Sequence, residues 1–268
     1  MPSATNPDPG PPFETGRALA LSLSILGSNA GALALMTVLI HLPALAYQFF
    51  VIAVPTVVLP AGAAATDALA GPALRAQQQQ AAILTGVGMF FTALATAAVI
   101  HRIFQQIQGN EASFVGSLRF GLRRVGAVLL INFLTGLLTF LGCLAFFVPG
   151  FVIATMLFVA VPVSVAEGRD IFDSLRRSAD LTRGSRWGIF GLLIIPTSFV
   201  AGLNLAAILA LGETRIELAL ANPRFQAVSA VIAVLYQALA SVTTTVAYLE
   251  LRRRREGSPT PPLVATPD

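Results

Sequence analysis

Few side chains in this sequence are able to do chemistry, and their placement limits what chemistry that is. His41, His101, Cys143, Glu167 and Glu250 are the titratable or nucleophilic groups that stand within or beside long apolar runs. A hydrolytic metal needs several converging His, Asp or Glu ligands, and a serine nucleophile needs a histidine base within reach. Two isolated histidines assemble neither set, so no catalytic, metal-ligating or cofactor-binding residue is assigned. His41 lies inside an apolar run, where an ionisable group is a functional candidate by default. A neutral imidazole donating across a helix interface is the plainer role expected of it. His101 abuts Arg102 at the end of a run and reads as interfacial. Cys143, the only cysteine, has no disulfide partner and reads as packing. Glu167 and Glu250 each close an apolar run beside an arginine cluster. That pattern predicts ion pairs fixing helix ends, since proton-coupling carboxylates lie nearer the middle of a membrane.

The uncharged polar residues form a second candidate set. Gln48, Asn132, Asn204 and Gln237, with His41, sit inside apolar runs, and Pro43, Pro162 and Pro196 interrupt the same runs. Broken helices beside polar side chains build the midplane sites of many transporters. Ordinary bundles also bend and hydrogen-bond internally by the same means. No inverted repeat is visible, so the internal, structural reading leads.

Arginine supplies the third set. All 17 basic residues are Arg, and Arg119, Arg123, Arg124, Arg176, Arg177, Arg183 and Arg186 gather in two short segments. Each basic residue near a membrane surface gains about 1 kcal/mol from anionic headgroups. These seven are accordingly the candidate lipid-headgroup residues. The pI of 10.2 does not point to nucleic acid, because the charge sits in clusters between apolar runs rather than as a stripe on a soluble domain.

The elements that must position these groups follow from the distribution of charge. Hydrophobic residues make up 55% of the chain, charged residues only 11%, and the mean hydropathy is +0.76. Soluble proteins carry roughly 25% charged residues, so this chain cannot cover a water-facing surface. A bilayer core needs about 20 apolar residues of helix, and about six such spans can be placed. They run Gly31–Val54, Ala81–Ile100, Val125–Phe147, Pro149–Ala166, Trp187–Leu211 and Phe225–Leu249. The second follows the polar stretch Gln77–Gln80. The third and fourth share 42 uncharged residues and turn at Pro149-Gly150. Residues 13–255 thus form one polytopic domain, with polar, proline-rich tails at 1–12 and 256–268 that read as disordered. The first twelve residues do not have the pattern of a cleaved leader.

With six spans, fourteen of the seventeen arginines fall on one side, leaving Arg75, Arg215 and Arg224 on the other. Positive flanks stay in the cytoplasm, which predicts a bacterial inner-membrane protein with both termini cytoplasmic. The two basic loops also carry helical stripes: Phe114, Val115, Leu118, Leu122 and Ile171, Phe172, Leu175, Ala179. Ser117-Leu118-Arg119 matches Ser174-Leu175-Arg176 at an offset of 57, and Ser113 and Asp170 take matching N-cap positions. Both segments, Ser113–Arg124 and Asp170–Arg183, are expected to be amphipathic interfacial helices ahead of a transmembrane hairpin. Phe13–Leu26 offers a third copy, although its leucines also alternate with period two. The fold class is therefore all-α and membrane-embedded, with three repeats of interfacial helix plus hairpin as the suggested plan.

Pro149-Gly150, Glu167-Gly168, Ser174-Leu175-Arg176-Arg177-Ser178 and Leu181-Thr182-Arg183-Gly184 follow one another in a fixed order. Tyr248-Leu249-Glu250-Leu251-Arg252 and Arg255-Glu256-Gly257 close the chain's helical part. In that order and spacing the chain resembles the membrane domain attached to some bacterial glycerophosphoryl diester phosphodiesterases and found in related inner-membrane proteins. The resemblance implies a helical membrane module. It does not imply phosphodiesterase activity, because catalysis in those enzymes belongs to a separate barrel domain, and no segment between spans reaches 30 residues here.

Three functions are then open. A non-catalytic module (scaffold, lipid-interacting element or complex subunit, with membrane lipids as partners) comes first. A small transporter or channel with a polar midplane path is the alternative. An intramembrane enzyme is the poorest fit to so few histidines and carboxylates.

Overall fold

The computed structural model describes residues 13–52, 67–110, 113–212 and 222–257. The predicted tail 1–12, residues 258–268 of the predicted tail 256–268, the end of the first span at Ala53 and Val54, and Arg215 lie outside the described residues, whereas Glu256 and Gly257 are the end and the cap of the last helix. Every element among those described is helical: α1 Thr15–Ser28, α2 Ala30–Ile52, α3 Asp67–Ile107, α4 Phe114–Ala145, α5 Phe147–Met156, α6 Ala160–Glu167, α7 Ile171–Thr182, α8 Arg186–Ala210 and α9 Pro223–Glu256.

Five of the described helical stretches are long and apolar enough to cross a membrane, or six if the bent pair α1–α2 is one span. Their outward faces carry Leu137, Phe140, Leu141, Leu144, Phe199 and Leu209 exposed along successive turns. An apolar surface of that extent needs a covering, and hydrocarbon is the covering a helix bundle of this composition fits. Inside, α3 and α9 form the core, with Ala93–Ile100 and Val242–Leu249 almost wholly buried against each other and against α1, α2 and α4. Alanine dominates the α3 stretch, and its small side chains let neighbouring helices approach closely.

The sequence and the structure part at four places. α3 runs straight through Gln77–Gln80, so those glutamines extend the helix rather than interrupt it. With 41 residues it is roughly 62 Å long, well beyond a bilayer core. Ser113–Arg124 is not a separate interfacial helix but the first three turns of α4, which continues without a break into the third span. The hairpin after it turns at Phe146, in an extended conformation, and Pro149 sits in the first turn of α5, where proline is tolerated. Gly142 and Gly150 make that turn possible: a Cβ on Gly150 would lie 2.7 Å from the Cys143 nitrogen. Cys143 packs against this glycine. Finally, the fourth span is broken at Leu157–Val159. Pro162, four residues beyond Phe158, has no N–H to offer its carbonyl and crowds it, which ends the upstream helix there.

Phe13–Leu26 is helical from Thr15 onward, within α1. Ala18, Ser22 and Ile25 of α1 are its buried face, and α1 meets α2 at 81°. The leucine alternation there does not make a strand.

Candidate functional site

Charged residues collect at one end of the bundle, where the C-terminal turns of α9 meet α1, α6 and α7. Glu167 ends α6 and turns into Gly168, whose φ of +65° is the left-handed geometry that closes a helix. Its carboxylate accepts hydrogen bonds from Arg169, from Arg177 of α7 at 3.4 Å and from the Tyr248 hydroxyl of α9 at 3.0 Å. Arg177 also pairs with Glu256, which accepts from Arg252 at 2.8 Å, and Arg252 in turn reaches the Tyr248 hydroxyl at 3.4 Å. Burial on its own would lower the Arg177 pKa, but its bond to Glu256 and the two facing carboxylates raise it, so the guanidinium stays charged. Arg255 donates to the Arg183 carbonyl at 2.7 Å, Arg254 pairs with Glu250 at 3.3 Å, and the Arg254 guanidinium stands 5.1 Å over the Phe13 ring. Both ends of the described chain are thereby tied to the same end of the bundle.

This network divides the seven arginine candidates. Arg177 is consumed inside it, and Arg183 stands 3.9 Å from Asp180. Arg186 has its Nε buried without a partner among the described residues. The Arg124 guanidinium lies beside Gly168. Arg119, Arg123 and Arg176 are exposed and make no ion pair among the described residues. Near them Phe172 and Trp187 are 69% and 87% exposed.

α7 is set against the broken span by its polar face. Ser174, Leu175, Ser178, Leu181 and Thr182 are buried, whereas Phe172 of the predicted apolar stripe points outward. The reason is the break: the Met156 carbonyl, freed at the end of α5, accepts from Ser178 Oγ at 2.8 Å and Thr182 Oγ1 at 3.4 Å. A carbonyl stranded in a low-dielectric interior costs several kcal/mol unless it is paired. Ser113 caps α4 as expected, accepting from Gly116 N at 3.0 Å. Asp170 holds the N-cap position of α7 with its side chain unused, and its carbonyl accepts from Ser174 Oγ at 2.8 Å.

The intramembrane polar candidates separate. Asn132 and Gln237 face one cavity of about 760 Å³ lined by α3, α4, the α5–α6 break, α8 and α9 and open to the outer surface beside Met89 and Phe133. Gln237 donates its amide to Thr96 and, at 3.5 Å, to Ser241. His41 is buried, bonded through Nδ1 to the Thr37 carbonyl at 2.8 Å, and its Nε2 lies 3.5 Å from the hydroxyl of Thr92, which lines the cavity. Asn204 lies apart, donating to Val200 O and accepting from Ser229 between α8 and α9. The Gln48 side chain lies outside the described residues. His101 stacks on Phe120 at 4.2 Å and receives a bond from Gln105. No group of three His, Cys, Asp or Glu able to hold a metal occurs among the described residues.

Sequence reasoning missed the cavity's hydroxyls, Thr92, Thr96, Thr135, Ser241 and Thr244. The one signal for them was the run Ser241 to Thr245 inside an otherwise apolar span. Compared with known protein families, curated proteins and solved structures, the chain matches none.

Proposed function

We propose that this chain is a non-catalytic, multi-pass inner-membrane module that binds anionic lipid headgroups through its arginine-rich end, with that end and both termini in the cytoplasm. The observation that carries the reading is the split among the arginines. The ion network uses Arg169, Arg177, Arg252 and Arg254 to fasten helix ends, while Arg119, Arg123 and Arg176 stand exposed, as does Trp187 at the start of α8. Guanidinium groups suit phosphates by their bidentate geometry, and a tryptophan at that level is an interfacial anchor. The reading agrees with the membrane module that the resemblance implies, and it extends to the three-repeat plan, with α1 and α7 as separate interfacial members and the first turns of α4 as the copy continuous with its span.

Vesicle flotation tests it. Purified protein should be retained by phosphatidylglycerol vesicles over phosphatidylcholine vesicles. Replacing Arg119, Arg123 and Arg176 together by Gln should remove about 3 kcal/mol of that preference, roughly a hundredfold. An unchanged preference refutes it. The transporter reading draws on a different observation, the cavity that Asn132 and Gln237 share at the broken span. Solute flux into reconstituted vesicles that is lost on Asn132→Leu would put that reading first.

A further inference from the structure

We infer that the cavity between α3, α4, the α5–α6 break and α9 is a binding site for a neutral amphiphile, an apolar chain bearing an uncharged hydroxyl, ester or carbonyl group. It is distinct from the arginine-rich end, and its argument requires only that the helices lie in lipid. Its volume of about 760 Å³ falls within the roughly 300–1,000 Å³ of ordinary ligand sites. Most of its wall is apolar, and Leu129, Phe133, Leu157 and Phe158 are among the residues that line it.

Two polar groups in the wall make no hydrogen bond among the described residues, one of them, Asn132, exposed at the cavity's open side and the other, the Thr135 hydroxyl, buried. Asn132 lies about 12 Å along the α4 axis from Arg124 and about 20 Å from the hairpin turn, deep in the span. Its amide makes no hydrogen bond among the described residues. One turn on, the Thr135 hydroxyl is buried without a partner. In hydrocarbon each such group costs a few kcal/mol, so an occupant that hydrogen-bonds to them is favoured over a saturated chain. Across the cavity, Gln237 is held in place by Thr96 and Ser241, which leaves its carbonyl oxygen as an acceptor.

Charge selects the class of occupant. Among the described residues no Asp, Glu, Arg or His lines the cavity. An ion there would lose its hydration with no counter-charge to repay it, a penalty of several kcal/mol at least. The site therefore takes a donor or acceptor group that is neutral, and it fits neither ion conduction nor a charged headgroup.

The test uses a diazirine-bearing hexadecanol on the full chain in nanodiscs, with crosslinked peptides located by mass spectrometry. Labelling is expected on α4 around Leu129–Thr135. Unlabelled hexadecanol and dioctanoylglycerol should compete, separating single-chain from diacyl sources, and hexadecyltrimethylammonium and hexadecanesulfonate should not. Gly126→Leu is the blocking variant, because Gly126 lines the cavity and a Cβ there meets nothing within 4 Å. It should fold normally and lose labelling about tenfold, and Ala240→Leu should block equally from α9. Asn132→Leu should keep the chain but weaken the preference for the alcohol over a hexadecane probe. Labelling that survives both blocking variants, that charged chains compete away as well as neutral ones, or that falls only on outward residues such as Leu141 and Phe199 overturns the proposal. None of those results bears on retention by anionic vesicles, which reads the arginine-rich end alone.

Discussion

The first three turns of α4 and the whole of α7 share a Ser-Leu-Arg match and an apolar stripe at the same spacing, yet one flows into a span and the other stops. Both turn the same positions inward. Ser117 and Gly121 of α4 are buried, as are Ser174 and Ser178 of α7, each pair offset by 57. What differs is the exit. Gly184, with φ of +88°, lets the chain leave α7, whereas the matching position in α4 is Ala127, which favours continued helix. The inward partner differs as well. Gly121 gives α4 contact with the α3 backbone, and Ser178 gives α7 a carbonyl to bond. One pattern thus serves two ends: closeness in α4, and hydrogen bonding to a broken helix in α7.

Substitution at Gly121 should break the comparison most severely. A Cβ there would stand 3.0 Å from the Leu94 carbonyl oxygen and 3.2 Å from Ala98 Cβ. Gly121→Leu is expected to cost about 3 kcal/mol through forced separation of α3 and α4, read as a lowered thermal midpoint in detergent. The matching change in α7, Ser178→Ala, removes the shorter bond to the Met156 carbonyl and should cost about 1–2 kcal/mol. Equal costs at the two positions would contradict the distinction. Gly184→Ala places a side chain at positive φ and should cost about 1 kcal/mol, measured the same way. The smallest effect sharpens the contrast furthest. Ser117 Oγ is buried without a partner, so Ser117→Ala should change stability by less than about 0.5 kcal/mol or raise it. Ser174→Ala, losing a 2.8 Å bond to the Asp170 carbonyl, should lower it by about 0.5–1 kcal/mol.

The span layout was legible because the absence of charge over some 20 residues is a one-dimensional signal. The Ser113 cap was legible for a like reason, being a contact made within three residues. The continuity of α4 was not. Arg119, Arg123 and Arg124 mark a water-facing surface, but nothing local stops a helix that extends past the membrane. The inward face of α7 was not legible, because hydrophobicity alone does not register that a broken neighbour needs serine hydroxyls. Pro162 announced an interruption without disclosing that Ser178 would answer it 22 residues away from Met156. The Tyr248–Glu167 bond joins residues 81 apart, and such a contact is a product of packing. Of the site, Asn132 and Gln237 were visible as polar residues in apolar runs, and their meeting at one cavity was not.

The most direct test is the sidedness of the arginine-rich end. In a Cys143→Ala background, single cysteines replace Arg119, Arg253 or Arg224 and meet a maleimide that cannot cross membranes. In intact cells Arg224→Cys should react, and Arg119→Cys and Arg253→Cys should react only once the membrane is opened. Reaction of Arg253→Cys in intact cells would contradict the account.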